Sequence, residues 1–155
     1  MKWRTWGIAR RIEPVTPDSG PAARDLFTQT LIIPAAAIDE LGHVSNVTYI
    51  AWMQEVAIQH SAARGWPVER YLQSGYVWVV RSHFITYLRP AFEGETIELQ
   101  TWVAKIKALS SLRKYRVLRP NDQTLLAEAE TNWVFVELKT GRPCRIPDDL
   151  RTSFD

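Results

Sequence analysis

Between Pro34 and His60 the chain reads PAAAIDELGHVSNVTYIAWMQEVAIQH. Asp39, Gly42, His43 and Asn46 are crowded there into one short loop ahead of a long, largely apolar segment. Residues of these types at the mouth of a helix have the chemistry to attack a carbonyl. A helix N-terminus presents unpaired N–H groups and roughly half a positive charge. That end polarises a carbonyl and holds the oxyanion that forms when it is attacked. A neighbouring carboxylate either attacks the carbon itself or takes a proton from an attacking water. The loop therefore contains the parts of an acyl-transfer hydrolase. Asp and Asn ahead of a helix also serve as plain caps, and a single histidine there also serves as a turn residue. Both readings stand beside the catalytic one.

The elements around the loop must hold it. From Val47 to about Ala63, Tyr49, Met53, Val56, His60 and Ala63 recur at three- and four-residue steps, widened by Ile50, Trp52 and Ala57. This is the stripe of an amphipathic helix, with Gln54, Glu55, Gln59 and Ser61 mostly off it. Ser45 or Asn46 caps its start, and Gly65 and Pro67 end it. Gly42 permits tight backbone geometry in the loop. Before the loop, LFTQTLIIP alternates as a strand does. After it, VERYLQSG reads as a short helical piece closed by Gly75. Four strand-like runs follow: YVWVVRSHFITYL, TIELQTWVAKIKAL, SLRKYRVL and TLLAEAETNWVFVEL, separated by turn-forming stretches. In the last, Ala127, Ala129, Thr131, Trp133 and Phe135 share one face, and its small residues let a helix lie close. KTGRP turns into a short tail. The expected fold is α+β, an antiparallel sheet wrapped around one central helix. Its edge strands are left to pair between two copies, so a symmetric dimer is expected.

The stretch DELGHVSNVTYIAWMQE resembles the signature of hotdog-fold acyl thioesterases. It is similar to the 4-hydroxybenzoyl-CoA thioesterase-like group and to plant acyl-ACP thioesterases. VVRSHFITYLRPAFEGETIELQT extends the likeness into the strands, so about Leu26 to Pro147 is covered. The resemblance implies a hotdog fold and hydrolysis of an acyl thioester, acyl-CoA first and acyl-ACP second. Asp39 matches the catalytic aspartate, Gly42 the loop glycine of the first group, and His43 the histidine of the second. Asn46, Tyr49, Trp52 and Glu55 fall on the matching helix positions. Where acyl-ACP enzymes carry an asparagine two positions after the aspartate, this chain has Leu41. A mechanism built on that amide does not transfer, and His43 becomes a positioning residue. Asp39 is then nucleophile or general base, the amides around Val44 to Val47 form the oxyanion site, and His43 and Asn46 orient the loop or a water. Glu55 is a second-tier carboxylate, equally readable as a partly exposed helix residue. The family pattern also implies a homodimer or tetramer with the site at an interface. Alternatives are a hotdog enoyl-thioester hydratase or dehydratase, and a non-catalytic acyl-CoA binding module.

CoA phosphates need cations, and Lys105, Lys107, Arg113 and Lys114 flank the turn between the third and fourth strands, though such charges also simply form a solvated face. Arg81 is readable as facing either site or solvent. Trp78, Trp102 and Trp133 are large enough to shorten an acyl tunnel. No cofactor is expected, and Asp39, His43 and His60 do not make a metal-ligand set of recognisable spacing.

Composition bounds the rest. The 155 residues suit one domain, read as an arm or linker over 1–25 and a single domain over 26–155. With 46% apolar and 23% charged residues the chain is ordinary globular protein. A net charge of +2 gives no reason to expect a nucleic-acid partner. The single cysteine, Cys144, cannot form an internal disulfide, which points to a reducing compartment. No apolar run approaches the ~20 residues of a membrane span. MKWRTWGIARRIEP lacks the apolar stretch of a secretory signal. Its Trp and Arg also fit an interfacial segment or a transit peptide, but it is read here as a packing arm, with the cytoplasm as the expected location.

Overall fold

A computed structural model describes residues 20–22 and 25–155; the arm expected before them lies mostly outside the described residues. The elements run β1 (Phe27–Ile32), α1 (Asn46–Ala63), α2 (Val68–Ser74), β2 (Tyr76–Tyr87), β3 (Thr96–Ile106), β4 (Ser110–Leu118), β5 (Leu125–Glu137) and α3 (Asp148–Thr152). The five strands form one antiparallel sheet in the order β1-β3-β4-β5-β2, with α1 packed on it. The expected α+β architecture is what the chain adopts.

The boundaries of α1 have clear causes. Ser45 has extended backbone, and its Oγ accepts the Thr48 N–H at 3.2 Å, so Ser45 is the cap and Asn46 the first helical residue. At the other end Gly65 takes φ +85°, Trp66 N–H donates to Ser61 O, and Gly65 N–H donates to Ala62 O. This paired closure satisfies the last carbonyls, and Pro67 prevents continuation.

Two apolar clusters hold the layers together. Around the first half of α1, Tyr49, Met53 and Val56 meet Ile97, Leu126 and Ala127 from the sheet. Ala127 and Ala129 are small enough to let the helix approach β5, as their alternation suggested. Around the chain's end, Trp66, Tyr71, Phe135, Ile146 and Leu150 form the second cluster. Each fully buried side chain of this size contributes about 1.5–3 kcal/mol before entropy is counted.

The helix stripe differs from the expected one at its C-terminal end. Ala63 is exposed, while Ser61 is buried and shares a 2.8 Å hydrogen bond with the Tyr71 hydroxyl. The reason is α2, which packs on that side and which the 3.6-residue pattern of α1 does not encode. The tail after KTGRP also contains the short helix α3, whose Leu150 is buried. Arg81 sits where the β2–β5 register slips between Val80 and Ser82, and it is exposed.

Candidate functional site

The loop before α1 is a closed turn. Ile38 and Val44 bridge across its base, the Asp39 N–H donates to His43 O, and the Gly42 N–H donates to Asp39 O. Gly42 at φ +81° makes that reversal possible without strain. Asp39 Oδ1 accepts the Leu41 N–H at 2.9 Å, so one carboxylate oxygen shapes the turn. Oδ2 has no partner among the described residues. His43 Nδ1 lies 3.9 Å from Asp39 Oδ1, beyond hydrogen-bond reach, and 3.3 Å from the Val44 carbonyl oxygen. Both side chains are about a third exposed.

Two amides expected at the oxyanion site are already used. The Val44 N–H donates to Ala91 O and the Ser45 N–H to Ala37 O, each at 2.9 Å. These bonds tie the loop to the sheet side and to the preceding turn. Among the described residues, the N–H groups of Asn46 and Val47 have no acceptor, as the first turn of a helix requires. They are the donors that remain.

Beside the loop lies an open groove of about 360 Å³, lined by His43, Asn46, Tyr49, Tyr87 and the segment from Leu88 to Ala91. Asp39 is next to this groove through His43 but is not in its wall. Burial, reinforced by Tyr87, pushes the Tyr49 phenol up to about 12, so it stays protonated and able to donate. Tyr87 stacks edge-on against Tyr49 at 5.3 Å and donates to Asn46 O at 3.4 Å. The far wall is clamped. Arg119 grips both oxygens of Glu95 at 3.0 and 3.1 Å and donates to Pro90 O, while Glu95 Oε2 accepts the Phe92 N–H. Burial alone would raise the Glu95 pKa. The Arg119 and Phe92 hydrogen bonds overcome it and leave the carboxyl below its ordinary value.

The other expected residues are not gathered here. Glu55 is exposed on α1, accepts from Gln59 Nε2, and is not in the wall of this groove. It is roughly 13 Å along the axis from the first turn at 1.5 Å per residue. Lys105, Lys107, Arg113 and Lys114 lie toward the opposite end of α1. The turn after β3 packs there on the tail, with Arg151 Nη2 donating to Lys107 O and Ile146 N–H to Ala108 O. Within one protomer these cations do not converge on the loop. Arg113 is a further departure from expectation, because it is 6% exposed and its side chain points inward. The cation that does line the groove is Arg89, exposed in the turn after β2. The turn chemistry of RPAFEGE hid it, since the Val44–Ala91 bond that brings that turn to the loop joins residues 47 positions apart. Trp78 and Trp133 line a separate cavity, whereas Trp102 is buried beneath Arg116.

Comparison with known proteins follows the same outline. The model of the thioesterase-like superfamily matches residues 33–154. A palmitoyl-acyl carrier protein thioesterase of Cuphea hookeriana chloroplasts is 26% identical over 136 residues, covering 84% of this chain and 33% of that protein. The chain thus spans about a third of the length of the curated relatives it matches. Among solved structures, a 1,4-dihydroxy-2-naphthoyl-CoA thioesterase from Synechocystis superposes with a TM-score of 0.77 at 18% identity, covering 83% of this chain and 95% of that one. A Staphylococcus aureus protein solved in complex with CoA gives 0.78 at 18% identity, covering 83% and 80%. The sheet around α1 is the hotdog fold expected from the loop signature. By its match over most of its length, the chain belongs to the thioesterase-like superfamily.

Proposed function

We propose that the chain hydrolyses an acyl thioester to the free acid and thiol, with acyl-CoA as the favoured substrate and acyl-ACP as the alternative. One observation carries this reading. The unused first-turn amides of Asn46 and Val47 stand at the end of a groove walled by His43 and Asn46, with an unpartnered oxygen of Asp39 beside it. A thioester carbonyl lying there meets the positive end of α1, which stabilises the developing oxyanion. Asp39 Oδ2 acts as nucleophile, displacing the thiolate as the C–S bond breaks and forming an acyl-enzyme anhydride that water then cleaves, or as general base toward a water that attacks the carbonyl and displaces the same thiolate. The thiolate leaves as the thiol after taking up a proton. His43 and Asn46 orient the loop and the water. Arg89 is the exposed cation suited to a phosphate of the phosphopantetheine arm that CoA and acyl carrier protein share. Family membership and neighbours named as CoA or acyl carrier protein thioesterases support the reaction class.

The test is turnover of a reactive acyl-CoA by purified Asp39→Asn. The expected loss is at least about 100-fold in kcat, with the folded state unchanged by circular dichroism. Rates like those of the wild type would remove Asp39 from the mechanism. An enoyl-CoA absorbance assay separates hydrolysis from hydration, and recovery of uncleaved acyl-CoA bound to the wild type would favour a binding module.

A further inference from the structure

We propose that the chain has a second ligand site, an apolar cavity at the C-terminal half of α1 that takes an organic acid with its carboxylate on Arg113. The cavity has a volume of about 310 Å³ and shares no residue with the groove at the loop. Ala57, in its wall, is about 16 Å along the helix from Asn46 at 1.5 Å per residue. Its apolar walls include Ala57, Trp66, Ile146 and Leu150, and its rim carries Ile58 and Val68, 49% and 43% exposed. That volume is at the low end for ligand pockets and suits a medium-chain aliphatic or single-ring acid.

The polar groups at its inner end define the ligand. Arg113 is 6% exposed and lines the cavity. Its Nη1 donates to His60 Nδ1 at 2.9 Å and to Thr101 Oγ1 at 3.2 Å. The remaining donors on Nε and Nη2 have no protein acceptor among the described residues. Neither partner brings negative charge. Thr101 passes its own proton to Lys114 O, and His60 is neutral, since burial and then Arg113 hold its pKa down to about 3. No Asp or Glu lies within ion-pair distance of Arg113 among the described residues.

A guanidinium buried without a counter-ion destabilises the fold, and a hydrocarbon side chain in its place would cost less. A bound carboxylate offsets that cost and accepts the unused donors as a planar pair. One cation in a mostly apolar space fits a monoanionic carboxylate, whereas a phosphate dianion would need more charge.

The experiment titrates the full chain with octanoate and with 1-octanol, followed by calorimetry and by fluorescence of Trp66, Trp78 and Trp133, which line the cavity. Octanoate should bind at least about tenfold more tightly than the alcohol, the worth of hydrogen bonds to a charged group. Arg113→Met should abolish that preference. Ile58→Trp, at the rim with the guanidinium intact, should exclude both ligands. Asp39→Asn should bind octanoate as the wild type does, which keeps this site separate from the hydrolytic reading. The proposal is overturned if octanoate does not bind, if the alcohol binds as well, or if either cavity variant binds octanoate normally. It is equally overturned if Asp39→Asn loses octanoate binding, because the ligand then sits at the loop.

Discussion

Two histidines show how the surroundings decide what a side chain does. His43 lies in a partly exposed turn beside a carboxylate, and its place in the DELGHVSN motif was readable from the chain alone. His60 reads in the sequence as one more member of the helix stripe. In the fold it is 3% exposed, stacks on Phe27 at 5.3 Å and accepts from Arg113. Burial first, and Arg113 second, lower its pKa from 6.5 to about 3. Below 6.5 the unfolded chain therefore takes up a proton that the folded chain refuses. This stabilisation is complete above about 6.5 and is lost as pH falls toward 3, by up to about 1.4 kcal/mol per pH unit. His60→Gln keeps an acceptor for Arg113 but does not titrate. Its urea-unfolding stability should decline less than that of the wild type between pH 6.5 and 5, and parallel declines would refute the assignment. The burial of His60 was legible from its place in the stripe, but its pairing with Arg113 was not, because the partners are 53 positions apart and meet only in the fold.

At the scale of elements, local signals carried far. The strand alternation, the α1 stripe and the Gly65 and Gly75 stops each depend on neighbours within a turn or two, and all appear near their expected places. What local signals lacked was the brace between elements. The Val44–Ala91 bond and the Glu95–Arg119 pair fix the loop against the turn after β2, and they join residues from three separate stretches. Arg119→Met should therefore loosen the groove before it unfolds the domain. The pair is partly exposed, so the expected stability loss is only about 0.5–1 kcal/mol. Native-state hydrogen exchange of the Val44 amide should nevertheless accelerate more than that of the Tyr115 amide in the sheet centre. Uniform acceleration would mean the pair is a general stabiliser and no brace. Gly42→Ala probes the other side of the loop. A Cβ there meets nothing within 4 Å, so the cost is backbone strain alone, about 1–2 kcal/mol. Turnover should fall with it, and a variant equally active and stable would show that the left-handed turn is dispensable.

For the whole molecule the question is what covers the sheet's edge. β2 is the outer strand beside β5, and among the described residues its 12 residues present an unpaired ladder on one side. Natural edges of that length are shortened, charged or covered. This one carries exposed Val79 and Phe84, at 42% and 68%, and Val47 at the start of α1 is 75% exposed. Antiparallel pairing of β2 with β2 of a second copy would extend the sheet across a two-fold axis, the commonest closed symmetry. It would also give the open groove at the loop, and the carboxylate of Asp39 beside it, a second wall. The expected solution state is thus a dimer or a tetramer built from such dimers, measured as mass by light scattering. Phe84→Arg places charge on the joined face and should yield folded monomers. If those monomers also lose turnover while Asp39 and the α1 cap are intact, the reaction centre is shared between protomers. A wild-type chain that runs as a monomer, or a monomeric variant with full activity, would instead require one protomer to contain everything the reaction uses.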